Sequence, residues 1–498
     1  MALRVRFLSA IPFLAFSLAG AQSIRVCTWN VSEFTGTDRL TDIQTVLFAS
    51  GPVGAMEPDI VIAQEIQSPS AASAFVGALN AIEPGQWAVT YGSLTGTDST
   101  SDSAIFYKPG RVTLYDAPFK VAPAGGTSGQ PRDSWRFDFT INGDANPNEV
   151  LAIYDSHMKA GSTSDDQSRR QIEAQHIRAD SNALPSNFLF LFGADTNIQA
   201  STQTAYQTMV SAGTSTRGEF FDPISSPGTW NNNGSFRYIH TQDPIGEGGM
   251  DDRFDQILIC SGLTGSTGTH YIGQYGTPYS TTTWNDPNQS YRCWGNDGTS
   301  FNTSLTVTGN QMVGPAIAQA IINAASPAGT TPGGHCPVFL DLHYDALIPI
   351  SGHVALGNYS GAVAGLPVTV EIRPAGTTND VAIQTPTLDA LGNFSLQAVV
   401  PPGNYDIAVK ASHWLKQKIE NVNLGLSGAS GLAYSLINGD INGDNVISLA
   451  DFGTLKLAYG STSSSSNWNP NADLNGDGSV GLADFGILKL NYGRSGDQ

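Results

Sequence analysis

Charged side chains are scarce in this sequence: they make up 13% of its 498 residues, and the 43 Asp and Glu outnumber the 24 Lys and Arg. A chain this poor in bases, with a formal net charge of −19, lacks the electropositive footprint of a tight nucleic-acid binder. Cysteine is also rare, four residues in all, which excludes a disulfide-built scaffold. Cys27 and Cys336 sit in apolar, strand-like runs and read as small buried thiols, whereas Cys260 and Cys293 flank a polar insertion and could pair. Beyond the N-terminal region, no segment reaches the roughly eighteen apolar residues that a membrane-spanning helix needs. What abounds instead is Gly, with 54 residues, alongside Ser, Thr and Asn, the texture of a solvated, β-rich extracellular protein.

The first residues carry Arg4 and Arg6, then an apolar stretch over 7–18, then Ala19-Gly20-Ala21. That order of basic, apolar and small residues is a secretory signal peptide over 1–21, with cleavage expected before Gln22 and export of the mature chain.

The length exceeds one ordinary domain, and the texture divides into three parts. Over 22–345, β-branched runs at 24–28, 60–63, 103–107, 150–154, 188–192, 256–259 and 337–340 read as buried strands. Helix-length apolar spacing at 40–49, 71–82, 167–182 and 311–325 alternates with them, giving a mixed α/β order. Polar, Gly-rich stretches near 94–102, 123–130 and 261–305 read as long surface loops. Over 346–437 the pattern changes to short alternating strands at 354–356, 368–372, 394–399 and 405–409, separated by Gly, Pro and Asn turns, which fits a small all-β sandwich acting as a spacer. The runs Leu388-Asp389-Ala390-Leu391-Gly392-Asn393-Phe394 and Pro401-Pro402-Gly403-Asn404-Tyr405 resemble carboxypeptidase-regulatory-like and related prealbumin-like sandwiches.

The third part, 438–498, holds a repeat. Asp440-Ile441-Asn442-Gly443-Asp444 recurs as Asp473-Leu474-Asn475-Gly476-Asp477, and each copy is followed by nearly the same helical phrase, Leu449-Ala450-Asp451-Phe452-Gly453 and Leu482-Ala483-Asp484-Phe485-Gly486. A calcium loop places oxygen donors at positions 1, 3, 5 and 12 around a hard cation. Here those positions are Asp440, Asn442, Asp444 and Asp451 in one copy, and Asp473, Asn475, Asp477 and Asp484 in the other. The last ligand is Asp rather than the Glu of ordinary EF-hands, and only the exiting helix is recognisable. With those departures the segment resembles a type I dockerin, a small α module with paired Ca²⁺ loops. The resemblance implies docking to a cohesin module of a scaffold or cell-surface protein.

Six polar motifs in the first part each stand at the end of an apolar run: Trp29-Asn30, Gln64-Glu65, Ser156-His157-Met158-Lys159, Gly193-Ala194-Asp195-Thr196-Asn197, Arg253-Phe254-Asp255 and Gly334-His335-Cys336-Pro337. Phosphodiesters resist hydrolysis because their negative charge repels nucleophiles. An enzyme must neutralise the phosphate, orient a water and assist the leaving oxygen. Carboxylates for a divalent metal, amides that position ligands and imidazoles that move protons or hold phosphate are the groups this needs.

In this order the motifs resemble those of the endonuclease/exonuclease/phosphatase superfamily, the deoxyribonuclease-I-like enzymes, whose fold is an α/β two-sheet sandwich with the site at one edge. The resemblance implies that Glu65 is the principal ligand of Mg²⁺ or Mn²⁺ and that Asn30 steadies the metal site. It implies that His157 contacts phosphate, that Asp195 and Asn197 orient the attacking water and the phosphate, and that Asp255 orients His335 as base or phosphate clamp. Two departures stand out: Ala194 is an extra small residue before an intact Asp-x-Asn, and Gly333-Gly334 replaces the usual Ser-Asp before the histidine, removing a secondary acid that can contribute to metal binding.

Lys159 adds positive charge beside His157. Arg169 and Arg170, on the helix that follows, either reach substrate phosphates or form salt bridges on an exposed face with Asp165, Asp166 and Glu173.

The sequence therefore leads to an exported phosphoesterase acting on nucleic acid or another phosphodiester. A phospholipid or sugar-phosphate hydrolase of the same fold is the alternative within enzymes, since fold does not choose the substrate. A cohesin-docking protein on a degenerate catalytic scaffold is the alternative outside them.

Overall fold

The computed structural model describes residues 22–96, 101–122, 131–212, 216–246, 248–326 and 333–498. The expected signal peptide and the loop at 123–130 lie outside the described residues, as does 97–100 of the loop near 94–102. Among the described residues no helix is long and apolar enough to cross a membrane. Internal packing separates two units, Ser23–Tyr344 and Asp345–Gln498.

The first unit holds two seven-stranded sheets. One runs in the order His270–Tyr271, Val338–His343, Ser23–Phe34, Ile60–Ile66, Ala104–Tyr107, Ala88–Tyr91. The other runs Phe220–Phe221, Asp255–Cys260, Phe188–Asp195, Val150–His157, Ser134–Ile141, Val112–Leu114; the seventh strands, Arg292–Cys293 and Phe119–Ala122, pair off these paths with Val338–His343 and Ser134–Ile141. Each has one parallel pair near its centre, Ser23–Phe34 with Ile60–Ile66 and Val150–His157 with Phe188–Asp195. Such central strands are covered on both faces and read as continuous apolar runs.

Alternation along Ser23–Phe34 explains the layering. Cys27, Trp29 and Val31 join a core with the helices Leu40–Phe48, Pro69–Ile82 and Gly314–Ala324. The opposite face, with Thr28 and Asn30, looks toward the second sheet. At Gly193 a Cβ would come within 2.4 Å of Ile62 and 3.4 Å of Thr28, so the missing side chain is what lets the sheets close there.

Several expectations need correction. Residues 261–305 are not a solvated loop: they carry the strands His270–Tyr271 and Arg292–Cys293 and bury Tyr271, Tyr279, Tyr291 and Trp294. All four cysteines are free and buried. Cys260 pairs in register with Phe220 in one sheet and Cys293 with Val338 in the other, so the proposed bridge does not form. The strand Ser134–Ile141 was not expected, because Arg136 and Asp138 interrupt its apolar pattern; they bond each other at 2.9 Å.

In the second unit a three-stranded sheet, Asn393–Val399, Leu347–Leu356 and Ala429–Leu436, accompanies a four-stranded one, Ala382–Gln384, Thr369–Pro374, Gly403–Lys410 and Gln417–Leu424. Ile348, Ile350 and Val354 alternate inward, as do Phe394, Leu396 and Ala398. The helices Leu449–Ala458 and Leu482–Asn491 follow, with Leu455, Leu488, Ile447 and Val480 in a small shared core that Leu415 also enters.

Candidate active site and calcium loops

Register brings the polar residues of the first unit together. His157 pairs with Asp195, and Asp195 with Asp255, so three adjacent strands place these side chains in one row at the same end of the sheet. Across the interlayer, Asn30 pairs with Gln64 beside Glu65.

Asn30 joins the two sheets. Its Nδ2 donates to Glu65 Oε1 and to Asp195 Oδ2, each at 3.0 Å, while its Oδ1 accepts from Ser32 N at 2.9 Å. As placed, it positions the two carboxylates rather than offering its own oxygen. Glu65 Oε2 accepts from Glu33 N at 2.6 Å. Glu65 has φ of 62° and Asn197 φ of 51°, left-handed values that a Glu rarely adopts, and such strain persists where the surroundings overdetermine it.

His157 lies between the carboxylates, Nδ1 3.3 Å from Glu65 Oε1 and Nε2 3.3 Å from Asp195 Oδ2. Burial pushes its pKa well down, assisted by the charges of Arg132, His335 and Lys159. His335 is the opposite case. Burial works against its cation, but Asp255 and Asp195 outweigh it and push the pKa up to about 10. Its Nδ1 bonds Asp255 Oδ2 at 2.8 Å, and its Nε2 stands 3.6 Å from Asp195 Oδ2. Burial raises Asp195 to about 6, with His335 opposing and Asp255 and Glu65 adding to the rise. Two imidazoles in one site thus have opposite charge preferences, a separation that suits distinct roles.

Asn197 N donates to Asp195 Oδ1 at 3.2 Å, and its Nδ2 holds Met158 O at 3.1 Å. Trp29 Nε1 reaches His335 O at 3.1 Å, tying the last motif to the first.

The remaining candidates are engaged elsewhere. Lys159 Nζ bonds Asp166 at 3.1 Å and Ala160 O at 2.6 Å. Arg169 pairs with Asp165 at 2.6 Å, one helical turn away. Arg170 is fully buried and braces the loop after His157, with Nη1 on Lys159 O at 2.5 Å and Gly161 O at 2.8 Å.

Supporting residues to which the motifs gave no role in the site include Glu173, Arg132, Gln64 and Asp155. Glu173, buried and raised to about 7 by that burial, accepts from Arg132 N at 2.6 Å and Lys159 N at 3.1 Å. Arg132 Nη1 holds Met158 O at 3.1 Å. Gln64 Nε2 crosses between the sheets to Asp155 Oδ1 at 2.7 Å. For Gln64 and Asp155 the only signal in the sequence is a polar residue inside an apolar run, and Arg132 and Glu173 stand in polar stretches that give none.

Asp155 makes a pH prediction. It is fully buried, Oδ2 has no hydrogen-bond partner, and burial pushes its pKa up to about 8. Because the folded value lies above the unfolded one, its favourable contribution is complete below about pH 4 and is lost as pH rises toward 8. Asp155→Asn keeps the acceptor for Gln64 and removes the proton. Urea unfolding of the two proteins between pH 4 and 9 should therefore show the variant gaining stability over wild type as pH rises. A constant difference across that range would contradict the assignment.

Asp195, Asp255 and His335 place their polar atoms within 4.8 Å of one another, and buried Asp255 Oδ1 has no hydrogen-bond partner, so with His335 protonated the carboxylates are the donors open to a cation. With Glu65 beside them, the set is dominated by hard carboxylate oxygens and carries excess negative charge, which fits a small divalent cation such as Mg²⁺ or Mn²⁺.

The calcium loops are built alike. Asp451 Oδ1 accepts from Asn442 N and Asp484 Oδ1 from Asn475 N, both at 3.1 Å. Each also caps its helix, through Ser448 N and Gly481 N at 2.8 Å. Asp444 N bonds Asn442 Oδ1 and Asp477 N bonds Asn475 Oδ1, both at 3.0 Å. Asp440 is wholly buried with Oδ1 unpartnered, a cost that a bound cation would relieve.

A family model, Dockerin type I domain, matches residues 438–491. No curated protein matches the chain. Among solved structures, an endonuclease/exonuclease/phosphatase family protein from Bacteroides thetaiotaomicron is 13% identical, covering 65% of this chain and 99% of its own, with a TM-score of 0.38. The human Nocturnin catalytic domain with bound sulfate is 11% identical over 65% of this chain and 94% of its own, with a TM-score of 0.37. A type II cohesin–X–dockerin complex from Acetivibrio cellulolyticus matches 30% of this chain and 97% of its own at 25% identity, with a TM-score of 0.25.

Proposed function

We propose that residues 22–345 form an exported, divalent-metal-dependent phosphoesterase that hydrolyses phosphodiester bonds, carried through a sandwich over 346–437 to a calcium-binding dockerin over 438–498. The observation that carries the reading is the meeting at Asp195 Oδ2 of Asn30 Nδ2, His157 Nε2 and His335 Nε2 at 3.0, 3.3 and 3.6 Å, with Glu65 one hydrogen bond away.

The roles follow from the atoms. Glu65 and the neighbouring carboxylates would hold a divalent cation, which would supply positive charge to offset that of the phosphate. His335, held cationic by Asp255, presents Nε2–H to a phosphoryl oxygen. His157, kept neutral by burial, is free to exchange a proton with the attacking water or the leaving oxygen. Asp195, fixed by Asn30 and by Asn197 N, aligns the water. Asn197 and Arg132 hold the Met158 turn that sets His157.

Docking to a cohesin is the role proposed for the C-terminal segment. Leu449, Leu457, Leu482 and Leu490 are exposed at matching positions of the two repeats and supply apolar contact area for such a partner.

One observation favours a compact phosphoester over a long polyanion. Lys159, Arg169 and Arg170 are already bonded within the protein, leaving few cations for distant phosphates. The chain from Gln22, with Mg²⁺ and saturating Ca²⁺, should hydrolyse bis-nitrophenyl phosphate. A comparison of plasmid DNA, RNA and sphingomyelin then separates nuclease from phospholipid hydrolase. Activity on none of the four with Mg²⁺ or Mn²⁺ would contradict the enzymatic reading and favour a docking protein on an inactive scaffold.

A further inference from the structure

The two calcium loops match in sequence but not in surroundings. In the second, the first ligand is satisfied by its own loop: Asp473 Oδ1 accepts from Gly476 N and Asp477 N at 3.0 and 3.1 Å, and Oδ2 from Gly478 N at 2.9 Å. In the first, Asn445 N takes the place of Gly478 N, reaching Asp440 Oδ2 at 3.1 Å. The same oxygen also receives Lys410 Nζ at 2.5 Å. Lys410 ends the sandwich strand Gly403–Lys410, and Trp414 O fixes its ammonium at 2.8 Å. Asp440 Oδ1 is left buried and unpartnered.

The rest of the contact holds this arrangement in place. Lys416 N bonds Asn445 Oδ1 at 2.8 Å, and Leu415 enters the core of the repeat. What the sandwich gives the second loop is uncharged: Ser360 N and Oγ donate to Asn475 O at 2.9 and 3.0 Å, and the Tyr359 ring lies against Gly476, where a Cβ would come within 2.4 Å of it.

We propose that Lys410 is a resident counter-cation of the first loop, so that the two calcium sites are unequal and the first, tuned from outside the repeat, binds the more weakly. The inference rests on the calcium reading of both loops. In the empty state the ammonium offsets part of the repulsion among Asp440, Asp444 and Asp451 and so stabilises the empty loop. An arriving dication meets a loop whose net negative charge is one lower, with a fixed positive charge on the far oxygen of its first ligand. Even with the screening of bulk water, a unit charge about 6 Å from a dication changes its affinity by about tenfold. Added salt should shrink the difference.

The test uses the chain from Gln22 and reads calcium binding by calorimetry. Asp484→Asn disables the second loop and leaves the first to report; Asp451→Asn does the reverse. The first loop should bind about tenfold more weakly than the second. Lys410→Met should tighten the first by about that factor and leave the second unchanged, while Lys410→Arg, which keeps the charge, should behave as wild type. Thermal unfolding in saturating Ca²⁺ identifies any variant that fails to fold, and for such a variant the comparison of the two loops with Lys410 intact decides. Equal affinities, or a Lys410→Met protein that binds as wild type, would overturn the inference while leaving the calcium reading intact. No uptake by either loop would overturn both.

Discussion

Replacing His335 with Ala should lower kcat for phosphodiester hydrolysis by about 10²- to 10⁴-fold, the range that a positioned acid, base or transition-state donor supplies. Asp255→Asn should cost nearly as much. The reason is local. Asp255 accepts from His335 Nδ1 at 2.8 Å and is itself held by Thr241 Oγ1 on its backbone N at 3.1 Å, so the imidazole has one orientation and one protonation pattern. An amide in place of the carboxylate can turn an NH₂ toward Nδ1, which favours the wrong tautomer and removes the charge that keeps the ring cationic. KM should change less than kcat, because Glu65 would still hold the divalent cation that neutralises the phosphate. Steady-state kinetics of the three proteins, with circular dichroism to confirm folding, checks this. An Asp255→Asn enzyme with unchanged kcat would contradict the role given to the pair.

Chelation should unfold the C-terminal repeat. Six carboxylates, Asp440, Asp444, Asp451, Asp473, Asp477 and Asp484, crowd a segment whose shared core is small. Lys410 offsets the charge only at Asp440. Occupancy at a thousandfold above the dissociation constant stabilises the folded form by about 4 kcal/mol per site, comparable with what so small a core supplies. Excess EGTA should therefore abolish the helical signal of Leu449–Ala458 and Leu482–Asn491 and the binding of cohesin, and Ca²⁺ should restore both. Hydrolysis measured with Mg²⁺ should persist. An isolated 438–498 fragment whose circular dichroism ignores EGTA would contradict the prediction.

The parts legible in the sequence are those where chemistry and chain direction coincide. Asn30, Glu65, His157, Asp195, Asp255 and His335 each follow or open an apolar run, and a strand end is where a polar side chain can face both a cleft and its neighbours. The calcium loops were legible because ligand spacing and helix phrase are both repeated. Residues that brace the site were not. Arg170 and Glu173 turn inward from the helix Ser164–Ala183, whose buried face is partly charged, so apolar periodicity cannot find it. Asp155 and Gln64 satisfy each other only because two strands distant in sequence face across the sheets. The stretch 261–305 reads as a loop by its Gly and Ser content, yet its scattered aromatics fill the interior. Cys260 precedes that stretch and Cys293 lies within it, and strand order sends them to different sheets.

The central claim is that residues far apart in sequence act as one metal-dependent unit. A double-mutant cycle between Glu65 and His335 tests it most directly, with bis-nitrophenyl phosphate hydrolysis in Mg²⁺ as the readout. The account predicts that Glu65→Gln and His335→Ala each remove most of the activity and that the double variant is scarcely worse than either. Full activity in Glu65→Gln, or losses that multiply independently, would contradict it.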